Sequence, residues 1–170
     1  LGLELAKVEE LCATARSAGV MQVANHLCPG NIVVSGSKAA CDEVERLAPE
    51  FGAMKTIRLA VAGAFHTELM KPADQTLAAA LERVPLQPAR IPVWSNVDAK
   101  PHSDPSEIRD LLVRQVLQPV QWEVTIRGLL ASGVTDPDAI ERTLVASAQP
   151  IGDRSLYGAG LVRADAAIGR

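Results

Sequence analysis

Aromatic side chains are scarce in this 170-residue chain: Phe51, Phe65, Trp94, Trp122 and Tyr157 make up 3% of it. A core built almost without them has to be aliphatic and Ala-rich, as in helix-covered α/β layers. Cysteine is also sparse. Cys12, Cys28 and Cys41 are odd in number and form no C-x-x-C pair, so neither a disulfide framework nor a zinc site is indicated, and the thiols read as reduced in a cytoplasm. No basic surplus exists: 17 Lys+Arg against 20 Asp+Glu leave a net charge of −3, which disfavours general nucleic-acid binding. A run of 18 apolar residues is missing, and so is the basic-then-apolar layout of a signal peptide, so no membrane role is expected. There is no G-x-S-x-G elbow, no G-x-G-x-x-G or phosphate-cradling loop, no internal repeat and no low-complexity tract. What remains is ordinary for a soluble globular protein, 48% hydrophobic and 22% charged, and long enough to bury a real core. The chain opens on Leu1-Gly2-Leu3 without Met, and it reads as cut from something longer.

Periodicity orders the elements. Leu5, Val8, Leu11/Cys12 and Ala15 recur at helical spacing, with Gly19 as the stop. Val20–Asn25 reads as a short strand, Cys28-Pro29-Gly30-Asn31 as a turn and Ile32-Val33-Val34 as a buried strand. Ser37 can cap a second helix with Ala40, Val44, Leu47 and Phe51 inward. Lys55–Ala62 alternates Ile57, Leu59 and Val61 against Thr56, Arg58 and Ala60, the period of a half-buried strand. The order α-β-β-α-β becomes ferredoxin-like if one strand is added in front. Beyond Gly63-Ala64-Phe65-His66, Thr67 can cap a long helix with Met70, Ala73, Leu77, Leu81 and Val84 inward, ended by Pro85 and Pro88. Ile91–Val97 reads as a strand, with Pro92 at its first turn or on an edge. Asp104-Pro105-Ser106-Glu107 is a helix start with N-cap, first-position proline and a carboxylate reaching back, ahead of the stripe Ile108, Leu111, Leu112 and Val116. Trp122, Ile126, Leu129 and Leu130 start a further helix, and Asp136-Pro137 a last one through Ile140 and Leu144.

One titratable residue stands out. His66 falls between an apolar strand and a capped helix start, where positive charge is disfavoured and a proton acceptor is well placed. The alternative is a partly buried histidine bonded to a backbone carbonyl. Ser35 and Ser37 read as turn and cap residues, Cys28 near His26 as a structural thiol, and His102 as a solvated loop residue. Glu9-Glu10 and Asp42-Glu43 read as solvated helix faces.

A resemblance carries the reading further. Val23-Ala24-Asn25, Cys28-Pro29-Gly30 and Ile32-Val33-Val34-Ser35-Gly36 precede Gly63-Ala64-Phe65-His66-Thr67-Glu68-Leu69-Met70-Lys71-Pro72-Ala73. Pro92-Val93-Trp94-Ser95-Asn96-Val97-Asp98, Ile108–Gln115 and Gln118-Pro119-Val120-Gln121-Trp122-Glu123 follow in order. Over residues 1 to about 134 this series resembles the later part of the malonyl-CoA:acyl carrier protein transacylases. The resemblance implies an α/β fold: a ferredoxin-like subdomain lacking its first strand at 1–62, then part of an α/β-hydrolase-like acyltransferase core at 63–134. It implies ping-pong malonyl transfer from coenzyme A to the phosphopantetheine thiol of acyl carrier protein, in fatty-acid synthesis, with no cofactor. By motif match His66 is the histidine that activates the nucleophilic serine, and Asn25, Ser95 and Asn96 lie at the substrate site. Malonyl-CoA and acyl carrier protein are the partners implied, and the cytoplasm the location.

Departures from the pattern are definite. In the family the serine elbow and the malonyl-binding arginine lie upstream of the position of Leu1, so this chain holds neither. Leu27 and Asn31 replace the second Asn and the Gln of the Asn25 segment, and the G-P-G stretch that helps orient the histidine is absent. From about 132 onward, Gly133–Pro137, Leu144–Ala148 and Tyr157–Ala167 resemble instead the closing helix and tail of subtilisin-like serine proteases, giving a third segment at 135–170. The expectation is a transacylase fragment inactive by itself. The alternatives are a non-catalytic module that binds acyl carrier protein, or a piece of a subtilisin-type protease.

Overall fold

The computed structural model describes residues 1–132, 148–149 and 161–162, and the chain divides into two compact units, Leu1–Gly128 and Leu129–Arg170. In the first, α1 (Leu5–Ala15) turns its stripe of Val8, Leu11, Cys12 and Ala15 inward and ends in a 3-10 turn over Arg16–Ala18. Strands β1 (Met21–Cys28) and β2 (Asn31–Gly36) pair antiparallel, Met21 opposite Gly36 and Val23 opposite Val34. The pairing slips between Val23 and Asn25 and again between His26 and Cys28. Gly30 closes the hairpin turn at φ +73°, a backbone state that glycine adopts at little cost. Ser37 then caps α2 (Lys38–Leu47), its hydroxyl accepting from the Ala40 amide at 3.4 Å.

Helices α1 and α2 close over this hairpin. Leu3, Val8, Leu11, Cys12, Ala15, Met21, Ala40, Val44, Leu47 and Ala48 form one buried cluster, with Val23, Ile32, Val34 and Phe51 packed against it. The core is aliphatic, as the composition demanded. Burial pushes the Cys12 thiol up to about 11, so this cysteine packs as a small inert hydrophobe.

The expected strand over Lys55–Ala62 does not form: the segment has no sheet pairing, and Ile57, Leu59 and Val61 are all more than half exposed. Alternation marks one face for burial but forms a strand only against a neighbour that takes up its amides and covers that face. Among the described residues no strand pairs with it.

Thr67 does start helical structure, but as a 3-10 turn over Glu68–Met70 that continues as α3 (Lys71–Leu81). Met70, Leu77 and Leu81 are half-buried, while Ala73 and Val84 are exposed. The expected strand at Ile91–Val97 shrinks to β3 (Val93–Trp94), paired antiparallel with β4 (Pro101–His102). A tight turn at Ser95–Lys100 cuts it short, the Ser95 amide donating to the Lys100 carbonyl and the Ala99 amide to that of Ser95. Asp104 caps α4 (Pro105–Gln115) by accepting from the amides of Ser106 and Glu107 at 2.8 and 3.1 Å. Strand β5 (Val120–Gln121) lies parallel to Asn25–His26, giving the order β2-β1-β5, and leads into α5 (Trp122–Ala131). Gly128 of α5 lies so close to Trp94 that a Cβ there would come within 2.8 Å of the indole.

In the second unit, β6 (Ala148–Gln149) pairs antiparallel with β7 (Leu161–Val162). The expected helix after Asp136-Pro137 and the rest of the 135–170 segment lie outside the described residues.

Candidate active site around His66

His66 sits on the turn that leads into the Glu68–Met70 3-10 helix. Thr67, fully buried, holds this turn from both sides: its hydroxyl donates to the Ala64 carbonyl at 2.7 Å and accepts from the Leu69 amide at 3.2 Å. The Glu68 amide donates to Gln22 Oε1 of β1 at 3.1 Å, tying the turn to the sheet. Held in this way, His66 takes φ +61°, a left-handed backbone state uncommon outside glycine but entered by histidine more readily than by most residues.

The imidazole reaches across to α4. Its Nδ1 lies 2.9 Å from the carbonyl oxygen of Gln115, the last residue of that helix. A carbonyl can only accept, so Nδ1 carries the hydrogen in this contact and Nε2 is left with a lone pair. The last carbonyls of a helix have no intrahelical donor, and the ring supplies one. The two readings of His66, proton acceptor and carbonyl-bonded histidine, therefore describe a single arrangement: the carbonyl bond is what sets the tautomer.

Asn25 lies on β1 at the point where that strand meets both β2 and β5, opposite Val33 and Val120. Asn25 and His66 line one groove of about 720 Å³, together with Ser35 and Phe65. Ser95 and Asn96 are placed otherwise. The Ser95 hydroxyl accepts from the Val97 amide at 3.1 Å, and the Asn96 carbonyl accepts from the Gln121 amide at 2.9 Å. Neither lines the groove of His66; their link to Asn25 runs through β5.

Two other histidines have partners that spacing did not reveal. His26 Nε2 meets Glu123 Oε2 at 2.7 Å with both side chains mostly covered, and Arg127 holds the other oxygen of that carboxylate at 2.6 Å. The pair joins β1 to the first turn of α5. His102 is no solvated loop residue: its ring sits between Asp98, 3.0 Å from Nε2, and Glu107, 3.1 Å from Nδ1. The Glu107 carboxylate, expected to reach back onto its own helix start, bonds this ring instead. Bonding to Glu107, and then to Asp98, holds the His102 pKa above its ordinary value. At Asp98 burial works to raise the pKa, but the bond to His102 and the Lys100 amide outweigh it and the value is lowered.

Gln115, Thr67 and Gln22 were not identified from sequence. Gln115 acts through its backbone carbonyl, for which residue type leaves no signal. Thr67 was assigned only as a cap. Among the described residues no cluster of three metal-ligating side chains occurs, and no helix is long and apolar enough to cross a membrane.

No family model matches the chain. Among solved structures its α/β fold is similar to that of carrier-protein acyltransferases. The acyl-carrier-protein S-malonyltransferase of Burkholderia pseudomallei superposes with a TM-score of 0.77 at 36% identity, covering 79% of this chain and 44% of that one. A malonyl-transacylase in complex with its type II PKS acyl-carrier protein gives a TM-score of 0.76 at 32% identity, covering 79% and 43%. In particular, the chain is 38% identical over 136 residues to the malonyl CoA-acyl carrier protein transacylase of Bacillus subtilis, covering 79% of this chain and 43% of that protein. The chain thus spans less than half the length of the relatives it matches.

Proposed function

We propose that this chain supplies the general-base side of a malonyl-CoA:acyl carrier protein transacylase, with His66 as the base. The observation that carries the reading is the His66–Gln115 contact: a carbonyl-bonded imidazole whose Nε2 is left to accept a proton, in a groove shared with Asn25. In this reading Nε2 takes the proton of a serine hydroxyl as the oxygen attacks the malonyl thioester, and coenzyme A leaves as its thiol. The phosphopantetheine thiol of acyl carrier protein then displaces the serine by the reverse proton path. Asn25 faces the substrate, while Asn96 acts from behind it by fixing β5 through its carbonyl and Ser95 by holding the turn that carries Asn96. Coenzyme A thioester and phosphopantetheine enter as substrates, with no bound cofactor, in a cytoplasmic setting. The sequence contains no Gly-His-Ser, so in this reading the serine lies outside these 170 residues. The ferredoxin-like description of 1–62 rests on the α-β-β-α-β order read from the sequence, of which the structure forms α-β-β-α, and the subtilisin-like description of the tail rests on the Gly133–Pro137, Leu144–Ala148 and Tyr157–Ala167 motifs.

Radiolabelled malonyl transfer to acyl carrier protein tests the reading. The chain by itself is expected to show none. Mixed with a polypeptide carrying the serine elbow, it is expected to restore transfer that His66→Ala lowers by about 10²–10⁴-fold, the usual worth of a positioned base. Transfer unaffected by His66→Ala overturns the assignment. A second reading is a non-catalytic carrier-binding module; its carrier-binding part is supported by the solved complex of a similar transacylase with its carrier protein. Saturable binding of acyl carrier protein without restored transfer would select it.

A further inference from the structure

Gln22 and Asn25 stand three positions apart on β1, and in a regular strand they would face opposite sides, because successive side chains alternate. The pairing prevents that. Val23 lies opposite Val34 and Asn25 opposite Val33, so Ala24 is an extra residue without a partner on β2. One extra residue moves every later side chain to the other face. Directly paired residues share a face, and the pairs identify both faces. Met21 belongs to the buried cluster, and Val23 and Val34 pack against it. Gln22 with Ser35, and Asn25 with Val33, therefore take the opposite face. The bulge thus sets the side chain that anchors the His66 turn on the same side as the residue that shares its groove. Ser35, opposite Gln22, lines that groove as well.

The bonds of the Thr67 hydroxyl run to Ala64 and Leu69. They shape the turn without fastening it to another element. Among the described residues, the bond from the Glu68 amide to Gln22 Oε1, at 3.1 Å, is the one hydrogen bond between 63–70 and the β1–β2 hairpin. The ring bond from His66 Nδ1 to the Gln115 carbonyl, at 2.9 Å, is the attachment to α4. A shift of the turn by about 1 Å takes that second bond beyond hydrogen-bonding reach. We propose that Gln22 is a positioning residue for His66. By accepting from the Glu68 amide it fixes the turn against β1 where Nδ1 meets Gln115, and so keeps the lone pair on Nε2. The inference rests on the reading of His66 as the base, for which it names a support outside the His66 motif.

Long-range ¹H–¹⁵N spectra of the histidine-labelled full chain show which ring nitrogen carries the hydrogen, and His66→Gln identifies the His66 signals. With the ring neutral, Gln22→Leu is expected to lower the ratio of Nδ1–H to Nε2–H forms at His66 at least about fivefold, as the loss of one hydrogen bond implies. Gln22→Glu keeps an acceptor oxygen at the same reach and is expected to retain the ratio of the unchanged chain. The His26 and His102 signals and amide exchange in α1 should stay the same in both variants, which shows that the fold is kept. A ratio unchanged in Gln22→Leu overturns the proposal, even if the variant melts earlier. So does an equal fall in Gln22→Glu, since the acceptor would then not matter. The spectra need no malonyl transfer, so the two readings fail separately. Restored transfer that survives His66→Ala removes the base and leaves the Gln22 result standing; transfer that needs His66 beside an unmoved ratio removes Gln22 alone.

Discussion

Residues 1–54 and residues 63–128 both carry amphipathic helices, yet only the first set closes on itself. Helices α1 and α2 bury their stripes to single-digit exposure against the β1–β2 hairpin. In the second set α3 buries no residue fully, α4 buries Leu111 and α5 buries Thr125. Phe65, Leu69, Leu112, Trp122 and Val124 remain between 43% and 49% exposed. A hydrophobic stripe specifies that a partner is needed, not that the same stretch of chain contains it. The candidate base stands in the open region, held by two short polar clamps rather than by a core.

Paired substitutions test this contrast most strongly. Leu11→Ala is expected to cost about 2–5 kcal/mol, the range for a buried leucine. The same change at the half-exposed Leu69 should cost under about 0.5 kcal/mol. Urea midpoints read both, and an equal loss at the two sites would mean that the second region has a core after all. Next in size, Gly128→Ala is expected to cost about 1–3 kcal/mol, since the added Cβ comes within 2.8 Å of the Trp94 ring and one of the two must shift. Trp94 fluorescence should shift with it.

Smaller again is the Asp98–His102–Glu107 cluster that fastens β4 to α4. The raised His102 value stabilises below the ordinary 6.5, and this is lost as pH rises through the raised value. The lowered Asp98 value stabilises above the ordinary 3.8, and this is lost as pH falls through the lowered value. The hairpin should therefore be best protected against hydrogen exchange between about pH 4 and 6.5. Asp98→Asn and Glu107→Gln should flatten that profile, and an unchanged profile in the double variant would refute the linkage. Smallest of all, the caps should rank by their bond lengths. Asp104→Ala is expected to cost about 1 kcal/mol and Ser37→Ala, with its 3.4 Å bond, about half of that in thermal unfolding.

Legibility followed the same division. The spacing of Val8, Leu11, Cys12 and Ala15, the Pro29-Gly30 turn and the Ser37 and Asp104 caps each appear where their chemistry places them, because every one is a local requirement met within a few residues. Lys55–Ala62 and Ile91–Val97 were read as strands from local pattern alone. One has no strand paired with it among the described residues, and the other is cut short by the Ser95–Lys100 turn. At the site, His66 was recognisable from its motif. Its orientation by Gln115 was not, since a backbone carbonyl is the same in every residue. Nor was the removal of Ser95 and Asn96 from the groove, or the pairing of His26 with Glu123 across 97 positions of sequence.

The sequence by itself determined which of the described stretches are helical, where most of them are capped, that the core is aliphatic, and that His66 follows an apolar segment at a helix start. These depend on periodicity and on side chains acting on their own backbone. Only the tertiary structure decided which apolar faces are covered, which edges stay open and which nitrogen of His66 carries its hydrogen. Those outcomes depend on what arrives from elsewhere in the chain, and neither spacing nor composition records that arrival.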